Sequence, residues 1–555
     1  MTERTPTPID GIADAWVNTL AALKPELATY IGRAEGQDRF ADYSPDGLEA
    51  DAAAARATLG ELRAATPQDD VDRVTQQDLG DEIALALELH EARWPLRDLN
   101  VIASPSQEIR NVFDLMPTET ADDWATIARR MSAVPDALDG YIATLREGIA
   151  QGSVPAARQV REVAGQIDRY IADDGFFATF AAQAAPADGE VTDALRADLD
   201  RGQRAARDAY ARLQAFLRDE LTPAAGTDDA VGRELYALHS RRFLGAVIDL
   251  DETYEWGVEE LARMVDEQER IADRIVPGAT VEEAIAFLER DPSRKLHGTQ
   301  ALQEWMQRTS DAAVAELGRT HFDIPEPVRR LECMIAPTQE GGIYYTGPTD
   351  DFSRPGRMWW SVPEGVTEFD TWRELTTVYH EGVPGHHLQI GQATYNRAEL
   401  NSWRRLLAGS SGHAEGWALY AERLMEQLGY LDDPADRLGM LDGQRMRAAR
   451  VVLDIGVHLG KQRPDGQGVW DADFALDFMR RNVNMEDGFV RFEVNRYLGW
   501  PGQAPSYKVG QRIWEQVRDA YRAAKGADFS MKEFHKRALD LGGVGLDTLR
   551  TALVR

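Results

Sequence analysis

The chain has 555 residues, with 93 acidic against 62 basic side chains, a formal net charge of −31 and a hydrophobic share of 43%. So acidic a surface repels nucleic acid and anionic lipid, and neither is expected as a partner, while the apolar share suffices for a large core. Its single cysteine, Cys333, excludes an intrachain disulfide and a cysteine-rich metal cluster.

Taken in chain order, the start Met1-Thr2-Glu3-Arg4-Thr5-Pro6 has no basic stretch followed by an apolar one, and no later run reaches the length of a membrane span. A cytoplasmic location is therefore expected. Residues 47–65, 78–93, 119–150 and 191–221 are rich in Ala, Leu, Glu, Asp and Arg with apolar positions three to four apart, the pattern of amphipathic helices. Short breaks at 185–189 and 222–226 separate helices, and Thr280 with Glu283 and Ser530 with Glu533 form capping-box signals. Residues 328–362 differ: β-branched and aromatic runs between turn residues predict a small sheet. With no Gly/Ser linker and no repeat period, a single domain over 1–555 is expected. In it residues 1–320 form a helical wall, and 321–555 form a catalytic half.

The most informative stretch is Tyr379-His380-Glu381-Gly382-Val383-Pro384-Gly385-His386-His387-Leu388-Gln389. Two imidazoles and a carboxylate, with a fourth position left to water, are the usual protein ligands of a catalytic zinc. His380 supplies one imidazole, His386 or His387 the second, and Glu415 in Ser411-Gly412-His413-Ala414-Glu415 the carboxylate. Glu381, beside the first histidine but not a ligand, is placed to take a proton from water. The spacing departs from H-E-x-x-H, where the histidines are four apart and share a face. At i+7 a straight helix would hold His387 roughly 10 Å from His380 along its axis, and at i+6 His386 would lie about 240° around it. The helix must therefore be distorted, and Gly382, Pro384 and Gly385 permit a bulge of about one turn.

The run resembles the helix H-E-x-G-H of the group containing thimet oligopeptidase, angiotensin-converting enzyme and carboxypeptidase Taq, with Gly385-His386 on the group's Gly-His and two residues inserted before them. It more closely resembles a bacterial family of uncharacterised, zinc-peptidase-like proteins carrying H-E-G-x-P-G-H-H. That likeness extends through residues 415–422, 450–458, 493–497 and 501–510 to Phe534-His535. It implies a mainly α, large helical zincin-like fold of the carboxypeptidase Taq or neurolysin kind, with a deep cleft and a small sheet beside the metal helix. It implies one zinc per chain, held by His380, His386 and Glu415, with His387, Glu422 and His413 as alternative ligands or supports. Short peptides are the implied substrates, no nucleic acid or membrane is involved, and the assembly is a monomer or homodimer. Tyr507, set in a Gly/Pro-bounded loop, is the implied donor to the oxyanion. Arg496 and Lys508 are candidates to bind a terminal carboxylate, as a carboxypeptidase would require. Asp454 and His458, four apart on one helical face, are expected to pair. The alternatives are a helical binding protein that has lost efficient catalysis because the insertion displaces Glu381, and a metal-dependent hydrolase of a non-peptide amide.

Overall fold

Helices build almost the whole molecule. The computed structural model describes residues 4–336 and 342–554; Met1 to Glu3 of the N-terminal reading and Pro337 to Gly341 within the sheet region lie outside the described residues. Each expected helix is present: Pro45–Ala64, Asp70–Glu91, Ala121–Gln151, and Asp193–Phe216 prolonged by a wider turn over Leu217–Leu221. Thr280 closes its capping box with Glu283, and the Ser530 hydroxyl accepts from the Glu533 amide, so local signals set these starts.

The 121–151 and 193–216 helices bury Ile127, Met131, Leu138, Leu199 and Leu213 in one apolar cluster. A larger cluster takes Tyr254 and Met264 from the Leu250–Ile275 helix together with Trp417, Leu441, Val451 and Trp514 from the last third of the chain. Residues on either side of 320 thus contribute to this larger cluster.

The small sheet forms where the β-branched and aromatic runs predict it. Leu331–Ile335 pairs parallel with Gly356–Trp360, which pairs antiparallel with Ile343–Thr346. Its inner face (Leu331, Cys333, Met358, Trp360) packs on Val378 of the Thr371–Glu381 helix and on Leu302 and Met306 of the Thr299–Thr320 helix. This packing fixes the helix that carries His380 and Glu381. A two-stranded ribbon, Lys295–His297 with Glu368–Asp370, closes the other end of that helix. Among the described residues no helix is long and apolar enough to cross a membrane.

Candidate metal centre

The chain does not bulge after Glu381; it breaks. The 371–381 helix ends at Glu381 and a second helix, His386–Tyr395, begins after four intervening residues. The connecting residues fold back on the last turn: the Gly385 amide donates to Tyr379 O (3.1 Å) and the His387 amide to Gly382 O (3.2 Å). A side chain at Gly385 would put its Cβ 1.9 Å from His380 O, so only glycine fits there. Trp417 clamps this loop from the neighbouring Ser411–Gln427 helix, its indole N–H donating to Pro384 O at 2.9 Å. The inserted residues are thus absorbed in a tight loop, and the His386 ring stands perpendicular to that of His380 with centroids 4.8 Å apart.

Glu415, on the 411–427 helix, meets both rings. Its Oε2 lies 3.2 Å from His380 Nε2 and 3.6 Å from His386 Nε2. A carboxylate oxygen of Glu381 lies within 4.8 Å of ligand atoms of both histidines. On the far side of His380, Nδ1–H donates to Glu422 Oε1 at 2.7 Å, which leaves Nε2 as a lone pair aimed at Glu415 Oε2. Two acceptors at that separation need a cation between them, and Glu415 Oε2 is buried without any hydrogen-bond partner. Tetrahedral zinc with bonds of about 2.0–2.1 Å sets its ligand atoms about 3.3–3.4 Å apart, and the two observed separations straddle that value. His380, His386 and Glu415 therefore fit a zinc ion. Burial opposes charge on His380, but Glu415 and Glu422 outweigh it and raise its pKa to about 10, so in the metal-free chain a proton takes the cation's place. Burial, countered by His386 and His380, raises the Glu381 pKa above the ordinary carboxylate value, which suits a proton acceptor.

The other expected residues fall in different places. His387 has both nitrogens engaged away from the centre: Nε2–H donates to Val328 O (2.7 Å) and Nδ1 accepts from the Tyr345 hydroxyl (2.9 Å). It ties the loop to the edge strand Ile343–Thr346. Glu422 is a buried support of His380; its Oε2 accepts from Gln444 Nε2 at 3.2 Å. His413 packs its ring on Trp514 and lies outside the ligand set. Tyr507 sits in the first turn of the Ser506–Lys525 helix, not in a loop. Gly416 and Gly510 let that helix approach Glu415 closely, since a Cβ at Gly416 would lie 2.4 Å from Gly510 C. The Tyr507 ring faces Arg450 and Arg447, and burial followed by the charge of Glu415 raises its pKa.

Lys508 is a correction to the sequence reading. Its side chain is 2% exposed and its ammonium is held by Glu260 (3.0 Å), Gln444 Oε1 (2.6 Å) and Gln511 Oε1 (3.0 Å), so it is not free for a substrate. Arg496 gives Nη2 to Gln503 (2.6 Å) and Nη1 to Glu493 (3.2 Å). Asp454 and His458 do not pair: Asp454 accepts from Tyr236 (2.6 Å) and the Gly502 amide (2.9 Å), while His458 Nε2 donates to Tyr497 O (3.0 Å). Sequence reasoning missed Gln444 and Arg447. Their signal was a polar stripe, Gln444, Arg447 and Arg450, at three-residue spacing on the Pro434–His458 helix.

A family profile for bacterial proteins of unknown function, DUF885, matches residues 25–553. No curated protein matches. Among solved structures, a protein of Colwellia psychrerythraea described as a candidate lipoprotein is similar at a TM-score of 0.83 and 21% identity, covering 98% of each chain. A candidate lipoprotein of unknown function from Shewanella oneidensis is similar at 0.75 and 17%, covering 99% of this chain and 100% of its own. These likenesses show a shared fold. A carboxypeptidase of Pyrococcus furiosus aligns over 100% of this chain and 96% of its own, at a TM-score of 0.43 and 13% identity, too distant a likeness to carry an argument.

Proposed function

This chain belongs to that DUF885 family of bacterial proteins, and we propose that it is a zinc-dependent hydrolase of amide bonds in short peptides. One observation carries the reading: Glu415 Oε2 stands 3.2 and 3.6 Å from two imidazole nitrogens, without a hydrogen-bond partner and with Glu381 alongside. His380, His386 and Glu415 would hold the ion, which when bound supplies a Lewis acid and lowers the pKa of a bound water.

The protein's own groups divide the remaining work. Glu422 fixes the His380 tautomer by accepting from Nδ1–H, and Gln444 fixes Glu422 in turn. Glu381 takes the proton of the attacking water and returns it to the departing amine. The Tyr507 hydroxyl, free of hydrogen bonds among the described residues, donates to the oxygen that gains negative charge. The edge of the Ile343–Thr346 strand, unpaired among the described residues, is suited to align an extended backbone by strand addition. That Glu381 remains within reach of both histidines despite the insertion favours an enzyme over a binding protein without activity.

The test is elemental analysis of protein equilibrated with zinc and desalted, followed by digestion of a short-peptide library with and without chelator. About one zinc per chain and chelator-sensitive cleavage are expected. A zinc-free protein after equilibration refutes the metal assignment, and a zinc-loaded protein that cleaves no peptide refutes the substrate class. The cytoplasmic expectation stands beside two structural neighbours described as lipoproteins, and cell fractionation decides it.

A further inference from the structure

Three arginines act on Tyr507, and two of them share a single carboxylate as ion-pair partner. Arg447 and Arg450 share a face of the 434–458 helix, their guanidinium carbons 5.9 and 5.1 Å from the Tyr507 ring centroid. Arg450 is paired, through Nη2 to Glu493 Oε2 (2.7 Å) and Nε to the Tyr497 hydroxyl (2.6 Å). Arg496, on the Asp487–Gly499 helix, shares that same Glu493 carboxylate. Arg447 makes no ion pair among the described residues. Its Nη1 reaches only the carbonyl of Gly443 on its own helix (3.2 Å), and its Nε is buried without a partner. The Nε of Arg496 is also buried and unpartnered. Buried donors are satisfied in nearly all folded proteins, by protein, water or ligand, so two orphans beside one tyrosine leave donors available to an acceptor supplied from outside.

The charge count points the same way. Glu493 offsets one of the three guanidiniums, leaving two positive charges. On the metal side a divalent ion offsets two of the three carboxylates of Glu381, Glu415 and Glu422, leaving one negative charge. Counted over these groups the loaded site carries one net positive charge; Asp442, near Arg447, and Asp454, near Arg496, are not counted because burial raises the pKa of each and favours the neutral carboxyl. Lys508 stays out of the count because Glu260 neutralises it.

We infer that the site selects substrates bearing one free carboxylate next to the scissile bond, the C-terminal carboxylate of a short peptide, with Arg447 as its anchor and Arg496 beside it. This rests on the reading of the centre as a metal-dependent peptide hydrolase. A guanidinium presents paired N–H donors that match a carboxylate, and Arg447 has donors to spare. Arg447 lies over the Tyr507 ring and its charge acts on Glu381 and Glu422, so a carboxylate held there sets the last peptide bond of the chain beside the centre, and its hydrolysis releases one amino acid.

The experiment uses full-length, zinc-loaded Glu381→Gln protein, which binds without turning over. It is equilibrated with a tetrapeptide library prepared both as free acids and as C-terminal amides, and retained peptides are quantified by mass spectrometry, with zinc content measured on the same samples. Free acids are expected to be retained about tenfold or more over amides, as a charge-assisted contact implies. In the Arg447→Met background the ratio of free acids to amides retained should fall to about one, and Arg447→Lys should restore part of it. Equal retention of acids and amides overturns the inference, as does a preference that survives Arg447→Met. Retention of neither form by zinc-loaded protein overturns it together with the peptide reading, whereas a zinc-free sample fails the metal reading instead. An Arg447→Met protein that does not fold leaves the comparison of acid with amide on the Glu381→Gln protein to decide.

Discussion

Alanine at His386 and alanine at His387 should give opposite phenotypes, although the residues are adjacent. The His387 ring is 1% exposed and makes two hydrogen bonds, to Val328 O and to the Tyr345 hydroxyl. Its loss leaves two polar groups without a partner, at about 1 kcal/mol or more each, and a cavity the size of an imidazole, at about 1–2 kcal/mol. His387→Ala should therefore destabilise the fold by about 3–5 kcal/mol and still bind zinc. The His386 side chain is 12% exposed and its contacts are with the other groups of the centre, the His380 ring and Glu415, which do little for the metal-free fold. His386→Ala should leave the metal-free protein within about 1 kcal/mol of wild type and lose zinc affinity by orders of magnitude, because one of three ligands is gone. Urea unfolding in chelator reads the first quantity, and zinc content after equilibration and desalting reads the second. A folded His387→Ala protein devoid of zinc, beside a zinc-loaded His386→Ala protein, would falsify the ligand assignment.

Three further outcomes are expected. Glu381→Gln should lower turnover by about 10² or more with zinc content unchanged, since shape and ligands persist while the proton acceptor is lost; an active variant would assign that proton to another group. Gln444→Leu removes the donor that steadies Glu422 and frees one contact of Lys508, so zinc affinity measured by chelator competition should fall about tenfold or more; unchanged affinity would show that Glu422 needs no such support. Acid should weaken the metal-free fold through buried neutral histidines: burial pushes His458 down to about 4 and His535 down to about 3, against about 6.5 unfolded. Because the unfolded chain binds these protons first, the stabilisation is complete above about pH 6.5 and declines as pH falls toward 4, by about 2 kcal/mol from each at pH 5. Urea midpoints in chelator at pH 7.5 and pH 5 check the sign, and equal midpoints would contradict it.

Much of this protein was legible in its sequence because the signals are local. Helix periodicity and capping boxes placed the long helices, since a 3.6-residue repeat and an N-cap act within a few residues. The β-branched and aromatic runs placed the sheet for the same reason. The residues His380, Glu381, His386 and Glu415 were readable by type, and the failure of a straight helix to join them followed from its rise per residue. The manner of their meeting was decided by tertiary contacts. Trp417 holds the loop, Gly385 lets it fold onto His380 O, and the close passage of Gly416 against Gly510 brings Tyr507 beside Glu415. None of these pairings has a sequence period. The fate of the cations is the clearest case. Arg447, Arg496 and Lys508 are alike as cations in the sequence, yet the fold buries Lys508 against Glu260, shares Glu493 between Arg450 and Arg496, and leaves Arg447 without an ion pair among the described residues. Charge pairing depends on which side chains come within a few ångströms across distant helices, and the chain settles that only when its core closes.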